Sequence, residues 1–191
     1  MLTRLLRDRR LGYGLAAAAT VASAVALTAM GRSLWCACGS LAPWAGDVWS
    51  RHNSQHLLDP YSFSHVLHGL LFYAAARALV GDRRLDLRFA LAVAAEAAWE
   101  IAENTNAVIE RYREATISLD YYGDSVANSV ADIGCCALGF FVARRLPWWG
   151  SALLFVATEA VLALWIRDGL VLNVIMLLAP NEAIRAWQAG G

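Results

Sequence analysis

Apolar residues occur along this chain in long blocks separated by short polar stretches. Because about 20 largely apolar residues span the hydrocarbon core of a membrane, block length is the first test of a membrane protein. Residues 11–30 carry no charged side chain, and residues 151–166 carry only Glu159. The pattern predicts five spanning helices, at residues 11–30, 64–81, 87–104, 124–143 and 148–166. Residues 169–178 are too short to cross alone and are predicted to form a half-helix or an interfacial segment.

Composition supports an all-α fold, a multipass transmembrane helix bundle. Hydrophobic residues make up 59% of the 191 residues and charged residues 17%, below the roughly 25% charged residues usual in soluble domains. No linker, repeat or low-complexity run divides residues 1–191, so we expect a single integral membrane domain. The first apolar block is longer than the roughly 7–15 residues of a signal-peptide core, so an uncleaved helix is expected there.

Arginine residues set the expected orientation. The chain has 16 basic residues, and all of them are arginine. Clusters precede the first predicted span and flank the second and fourth connections. They are Arg4, Arg7, Arg9 and Arg10; Arg77, Arg83, Arg84 and Arg88; and Arg144 and Arg145. All fall on one side of the membrane when the N-terminus is cytoplasmic, as the positive-inside rule requires. We therefore expect a multipass protein of the bacterial inner (cell) membrane with a cytoplasmic N-terminus.

Charge and cysteine content limit the functions that this chain can have. The net charge is zero, so no nucleic-acid partner is expected. The absence of lysine excludes a lysine Schiff base or lysine general base from this chain. Cys36 and Cys38 could ligate a metal or form a disulfide. Cys135 and Cys136, inside a predicted span, are expected to pack as apolar residues.

Ionisable and amide side chains recur on three predicted spans, all toward the outer leaflet. Residues three, four or seven apart share one helix face, so each span carries a polar stripe. These residues are His65 and His68 on the second span, Glu96, Glu100 and Glu103 on the third, and Asp124, Asn128 and Asp132 on the fourth. A carboxylate at mid-membrane costs about 2.5–3.5 kcal/mol even on insertion scales. The stripes therefore predict one shared functional site, although polar groups of this kind also hold helices together.

The chemistry of these side chains allows two kinds of site. In the first, His65, His68, Glu103 and Asp124 ligate a divalent metal such as zinc. In the second, the same region transfers protons without a metal.

The metal-free site assigns a role to each of the candidate catalytic residues. A histidine (His65 or His68) is the base and a glutamic acid (Glu100 or Glu103) is the acid. Asp124 orients them together with Asn128, which could also donate to an oxyanion.

Other polar residues receive separate expectations. Glu96 and Asp132 lie deepest and could relay a proton. Arg111 and Arg113, in an outer loop, could bind the phosphate of a substrate head group. Glu159 belongs either to the cluster or to a helix contact. The remaining histidines, His52 and His56, are expected to be ordinary loop residues.

Three stretches resemble a known family. They are "GRSLWCACG", "HNSQHLLDPYSFSHVLHG" and "WEIAEN" followed by "SLDYYGDSVANSVADIGC". These resemble a family of uncharacterised bacterial multipass membrane proteins that is defined by a domain of unknown function, and the likeness covers nearly the whole chain. The resemblance implies a membrane location and assigns no activity.

A looser likeness is to the VanZ-like membrane proteins associated with glycopeptide-antibiotic resistance. The matching positions are a histidine (His65 or His68), Glu100, and the Asp124–Asn128 pair. Ala131 stands where VanZ-like chains tend to have glycine, and no glutamine follows the glutamate. This likeness covers the middle half of the chain and implies a shared helical scaffold only.

Together these features favour an inner-membrane protein with a polar site near the periplasmic leaflet. The leading hypothesis is action on a lipid or lipid-linked head group by hydrolysis or group transfer, with membrane lipids as partners. One alternative is a proton-coupled transporter that uses Glu96, Asp132 and Glu159. The other is a structural or assembly subunit whose polar stripes bind a protein partner.

Overall fold

A computed structural model of the chain describes residues 10–82, 84–116 and 121–190. Over these residues the protein forms eight helices and no β-strand. The helices are α1 (Leu11–Ala29), α2 (Ser62–Val80), α3 (Leu85–Glu103), α4 (Asn106–Ala115), α5 (Val126–Arg145), α6 (Trp148–Ile166), α7 (Leu170–Leu178) and α8 (Glu182–Gln188).

Polar side chains begin three of these helices by accepting hydrogen bonds from the free N–H groups of the first turn. Thr105 caps α4, and Ser125 caps α5 by accepting from the amide of Asn128. Asn181 caps α8 by accepting from the amides of Ala183 and Ile184. These local signals explain why the chain enters a helix at each point.

The centre of the protein is a bundle of α1, α2, α3 and α5, with α6 packed outside against α2 and α5. The most extensive contact joins α2 and α5, which approach each other at two glycines. A Cβ atom on Gly69 would overlap the carbonyl of Cys136, and one on Gly139 would overlap the carbonyl of Val66. Small residues allow helix backbones to come this close. The approach places the polar stripes of the two helices side by side.

Residues 30–61, which we call the cap, precede α2 and contact the segment before α5 and its first residues. The amide of Ser125 donates to the carbonyl of Ser54 at 2.9 Å. The side chain of Gln55 donates to the carbonyl of Gly123 at 2.7 Å. The cap therefore contacts the first residues of α5, next to the polar stripes.

The predicted spans correspond to α1, α2, α3, α5 and α6, and the predicted half-helix corresponds to α7. Four of these helices, α1, α2, α5 and α6, are long and apolar enough to cross a membrane, which indicates a membrane protein. Helix α3 is also long enough, at 19 residues, but its ionisable residues keep it from meeting this criterion. The expectation of five spans is therefore supported for four helices. Helices α4 and α8 were not predicted because their short, mixed sequences contain no apolar block.

Candidate functional site

Glu96 joins the two histidines of α2. Its Oε1 atom lies 2.5 Å from Nδ1 of His65, and its Oε2 atom lies 3.0 Å from Nδ1 of His68. The glutamate is fully buried, so both imidazoles meet a carboxylate that is shielded from water. Glu96 therefore orients both rings, in addition to the proton-relay role expected from its depth.

His65 also faces two further acids. Its Nδ1 atom is 3.4 Å from Oε1 of Glu100, and its Nε2 atom is 3.8 Å from Oδ2 of Asp132. The hydroxyl of Ser62 donates to the other oxygen of Asp132 at 2.8 Å. Neither carboxylate oxygen of Glu100 has a hydrogen-bond partner among the described residues. A buried acid without hydrogen-bond partners favours either a bound proton or a bound cation.

Asp124 is held by its own set of hydrogen bonds just before α5. Asn104 donates to Oδ2 of Asp124 at 2.9 Å and accepts from its backbone amide, and Tyr121 donates to Oδ1 at 2.9 Å. Burial raises the pKa of Asp124 to about 6, while the hydrogen bonds from Tyr121 and Asn104 act against this rise. Asp124 is thus a fixed, buried carboxyl at the end of the polar stripe.

A cavity of about 730 Å³ runs along these residues. Its polar wall is formed by the side chains of three helices and the segment before α5. They are His65, His68, Glu103, Asp124, Asn128 and Asp132. The rest of the wall is mainly apolar, and Asn53 and Ser54 of the cap cover one part of it. The wall includes no lysine or arginine among the described residues. The cavity therefore combines an acidic group of side chains with a wall that is otherwise mainly apolar.

The structure brings together two groups of side chains that could hold a metal ion in this region. One is His65, His68 and Glu96, and the other is His65, Glu100 and Glu103. The expected set of His65, His68, Glu103 and Asp124 is divided between them, and Asp124 belongs to neither. The reason is geometric, because Asp124 is turned toward Asn104 and Tyr121.

The two arginines expected to bind a head group flank Tyr112 on α4. Nε of Arg111 donates to the carbonyl of Leu177 at 2.9 Å, and Nε of Arg113 donates to the carbonyl of Tyr121 at 2.5 Å. Tyr112 lies on the cavity wall, whereas the described lining residues include neither arginine. Their guanidinium groups tie α4 to neighbouring segments, and phosphate binding by them stays a prediction.

Glu159 lies on α6, and its side chain reaches the beginning of α7. Its two carboxylate oxygens accept from the backbone amides of Leu170 and Val171, each at 2.9 Å. A carboxylate at a helix N-terminus is favoured by the helix dipole. Of the two expectations for Glu159, the structure therefore shows the helix contact.

Three residues at the site lie outside the set assigned from the sequence: Asn104, Tyr112 and Tyr121. Asn104 follows Glu100 by four residues and extends the α3 stripe, so the helical spacing carried a usable signal. The tyrosines contact Glu103 and Asp124 from α4 and from the segment before α5. No local pattern indicates those contacts.

A second cluster lies in the cap, where the structure joins Cys36 and Cys38 as a disulfide. Sγ of Cys36 is 3.5 Å from Nδ1 of His52, and Sγ of Cys38 is 3.7 Å from Nε2 of His56. The expectation of ordinary loop histidines misses this arrangement, because each ring meets a cysteine that lies 16 or 18 residues earlier in the chain.

Comparison with known proteins identifies relatives of this chain. Residues 27–190 match the family described as protein of unknown function (DUF2585). The UPF0314 protein of Paracoccus denitrificans is 52% identical over 169 residues, which cover 88% of each chain. The UPF0314 protein of Sphingopyxis alaskensis is 48% identical over 183 residues, covering 95% of this chain and 97% of its own.

The UPF0314 protein of Novosphingobium aromaticivorans is 48% identical over 195 residues, covering 98% of this chain and 97% of its own. No solved structure matches this chain significantly. The resemblance to an uncharacterised bacterial family is confirmed, whereas the VanZ-like resemblance gains no support from these matches.

Proposed function

We propose a function for this chain, which belongs to the DUF2585 family of proteins of unknown function, from the geometry of its polar site. The protein is an enzyme of the bacterial inner membrane that hydrolyses, or transfers, the polar group of an amphipathic substrate. The substrate class is a lipid or a lipid-linked head group. One observation carries this proposal: the cavity of about 730 Å³ is lined by imidazole and carboxyl groups, while most of its wall is apolar. Such a site matches a molecule that is polar at one end and apolar along its length.

His68 is the general base in this proposal. Its Nδ1 atom faces Glu96, so Nδ1 carries the proton and Nε2 keeps the free lone pair. Because His68 lines the cavity, Nε2 can accept a proton from a water molecule or from a substrate hydroxyl. Glu96 then stabilises the imidazolium that forms, as the carboxylate does in other His–acid pairs.

Asn128 and Glu103 complete the chemistry. The Nδ2 atom of Asn128 is buried and has no hydrogen-bond partner in the described part of the chain, although the residue lines the cavity. It can donate to the oxygen that becomes negative when the nucleophile attacks a carbonyl or phosphoryl centre. Glu103 in its protonated form can give its proton to the leaving oxygen when the bond breaks. The nucleophile thus loses its proton to His68, and the leaving group gains one from Glu103.

In a second form of this proposal, the site binds a divalent cation. Glu100, whose two oxygens have no hydrogen-bond partner among the described residues, stands beside His65 and Glu103 in a three-ligand group. Catalytic zinc sites use three protein ligands and leave one position for water or substrate. A cation here would offset the charge of the surrounding acids and polarise the substrate.

The orientation of the site follows from the arginines. Arg10, Arg84, Arg88, Arg144 and Arg145 lie at the ends of helices opposite the cap. By the positive-inside rule, this supports a cytoplasmic location for that end and a periplasmic location for the cap. In this proposal the polar site lies near the periplasmic leaflet.

Lipid turnover by the purified protein tests this proposal. The full chain in detergent is incubated with lipid extracted from membranes of the source bacterium, and products are followed by mass spectrometry. We expect turnover by the wild type and a loss of at least ten-fold in H68A and in N128A. The matched control E110Q changes an exposed residue of α4 and should keep full turnover. Chelation followed by metal replacement separates the two forms of the site. Absence of turnover, or turnover unchanged in both variants, would overturn the enzymatic proposal.

A second candidate function is proton-coupled transport, which one contact pattern favours. His65 lies between Glu96 and Asp132, so one imidazole links acids on two different helices. Such a chain of ionisable groups can pass a proton along a membrane protein. Flux that depends on a pH gradient and is lost in E96Q, without lipid turnover, would favour this candidate. Stable co-purification with a larger complex, without turnover or flux, would favour the structural subunit.

A further inference from the structure

The cap contains a cluster that the proposed chemistry does not use. Cys36, Cys38, His52 and His56 each offer one ligand atom, and these four atoms lie within 4.8 Å of one another. Cys36 and His56 are buried, at 7% and 4% exposure. Two sulfurs and two nitrogens so close together are a donor set for a soft or borderline metal ion.

The distances within the cluster match a tetrahedral site. Zinc binds sulfur at about 2.3 Å and nitrogen at roughly 2.0–2.1 Å, so neighbouring sulfur and nitrogen ligands of tetrahedral zinc lie roughly 3.5 Å apart. The Cys36 Sγ to His52 Nδ1 distance is 3.5 Å, and the Cys38 Sγ to His56 Nε2 distance is 3.7 Å. Both pairs can therefore share one metal ion once the Cys36–Cys38 disulfide is reduced and the two sulfur atoms separate.

The ring of His56 is already in the form that binds metal. Its Nδ1 atom lies 2.6 Å from the carbonyl oxygen of Ala42. A carbonyl oxygen only accepts hydrogen bonds, so Nδ1 carries the proton and Nε2 presents its lone pair toward Cys38. Metal-binding histidines are commonly oriented by such a bond from the second ring nitrogen.

From these observations we propose that Cys36, Cys38, His52 and His56 form a closed, four-ligand site for Zn²⁺. The histidine spacing of three intervening residues is found in structural zinc sites, and the cysteines are separated by one residue. All four positions are filled by the protein, so the site is structural. It does not depend on the proposed function, because its ligands are separate from the residues that line the cavity.

The disulfide and the metal exclude each other, because both use the sulfur atoms of Cys36 and Cys38. Zinc therefore binds the chain when these two cysteines are reduced. The disulfide closes a loop with one intervening residue, and short loops contribute little to the stabilisation expected from cross-linking. A metal ion would instead join residues 36–38 to residues 52–56, which the disulfide does not do.

Zinc at this position would fix the cap over the polar site. His52 and His56 stand on either side of Ser54, whose carbonyl accepts the hydrogen bond from Ser125 at 2.9 Å. Ser54 also lines the cavity. Metal binding therefore orders a segment that lines part of the cavity.

Metal analysis of the reduced full chain tests the site. The protein is purified in detergent with a phosphine reductant, and Zn²⁺ and Co²⁺ are added separately. We expect each chain to bind one Zn²⁺ in the cap. With Co²⁺ we expect a thiolate-to-cobalt charge-transfer band together with the visible bands of tetrahedral cobalt. The band should be lost in C36S and in H56A.

Three further variants make the result specific. C135A/C136A removes the two other cysteines of the chain and should keep the cobalt band. H65A/E100Q removes ligands from the polar site and should also keep it, which separates this proposal from the proposed function. H52C creates a Cys₃His set, which should keep zinc binding and so excludes misfolding as the cause of the losses. A reduced wild-type chain without the thiolate band, or a band that survives in H52A/H56A, would overturn the proposal.

Discussion

Nδ1 of His68 lies 3.0 Å from Oε2 of Glu96 on the neighbouring helix. In E96Q the ring keeps a polar neighbour but loses the negative charge that stabilises its protonated form. General-base catalysis contributes about 10²–10⁴-fold to enzymatic rates, so we expect lipid turnover to fall by about 10²-fold or more. Initial rates of wild type, E96Q and the control E110Q measure this. Equal rates for E96Q and wild type would remove Glu96 from the mechanism.

The close approach of α2 and α5 makes Gly139 intolerant of any side chain. In G139A the new Cβ would overlap the backbone of Val66, and overpacking of this kind costs about 1–3 kcal/mol. We expect a clear decrease in the thermal unfolding temperature in detergent.

Gly134, on the same helix, provides the matched control for Gly139. A Cβ there meets no atom within 4 Å, and alanine in place of a helical glycine stabilises by roughly 0.5–1 kcal/mol. G134A should therefore be as stable as wild type or more stable. If the unfolding temperatures of G139A and G134A shift in the same direction, the close contact between α2 and α5 does not limit the packing.

The burial of Asp168 predicts that the folding stability of the protein depends on pH. Its side chain accepts hydrogen bonds from Tyr61, Asn173 and Gln188, and burial raises its pKa from 3.8 to about 6. Between these two values the folded protein binds more protons than the unfolded chain, so stability from this group is complete below pH 3.8 and is lost as the pH rises through 6. The size of the effect is about 3 kcal/mol.

Unfolding of wild type and D168N between pH 4 and 7 measures this effect. The asparagine does not titrate, so the stability of wild type relative to D168N should fall as the pH rises. D47N, a change of an exposed residue in the cap, should follow the wild-type profile. A constant difference between wild type and D168N across this range would contradict the prediction.

Glu159 supports the first turn of α7. E159A removes the acceptor for the amides of Leu170 and Val171, and loss of a helix cap costs about 0.5–2 kcal/mol. Hydrogen exchange at these two amides should accelerate relative to the amides of α2. Unchanged exchange would show that the cap is dispensable.

Orientation in the membrane can be tested with a reporter enzyme that is active only in the periplasm. Alkaline phosphatase fused after Gly46, in the cap, should be active, whereas a fusion after Leu146, between α5 and α6, should be inactive. Arginine placement is the physical basis for this expectation. The reverse pattern would place the cap and the polar site in the cytoplasm.

Much of the fold could be predicted from the sequence because its signals are local. The uncharged run at residues 11–30 became α1 (Leu11–Ala29), and the block beginning at Trp148 became α6 (Trp148–Ile166). The spacing of Glu96, Glu100 and Glu103 correctly placed these acids on a helix. Helix α4 was missed because its ten residues contain no apolar block that could be recognised.

The partners of individual polar side chains could not be predicted in the same way. Glu159 was grouped with the acidic cluster as one option, yet it caps α7. The contact of Arg111 was also not foreseen, since its Nε atom donates to the backbone carbonyl of Leu177. The Glu159 contact joins residues 11 positions apart, and the Arg111 contact joins residues 66 positions apart. No spacing rule connects such positions.

The sequence by itself determined the helices and which of their faces are polar, because apolar block length and helical periodicity are properties of neighbouring residues. Only the tertiary structure decided that Glu96 joins His65 and His68, and that two cysteines meet two histidines in the cap. These arrangements depend on how closely helix backbones approach and on where the cap folds back. Both are set by packing between segments that are distant in the chain.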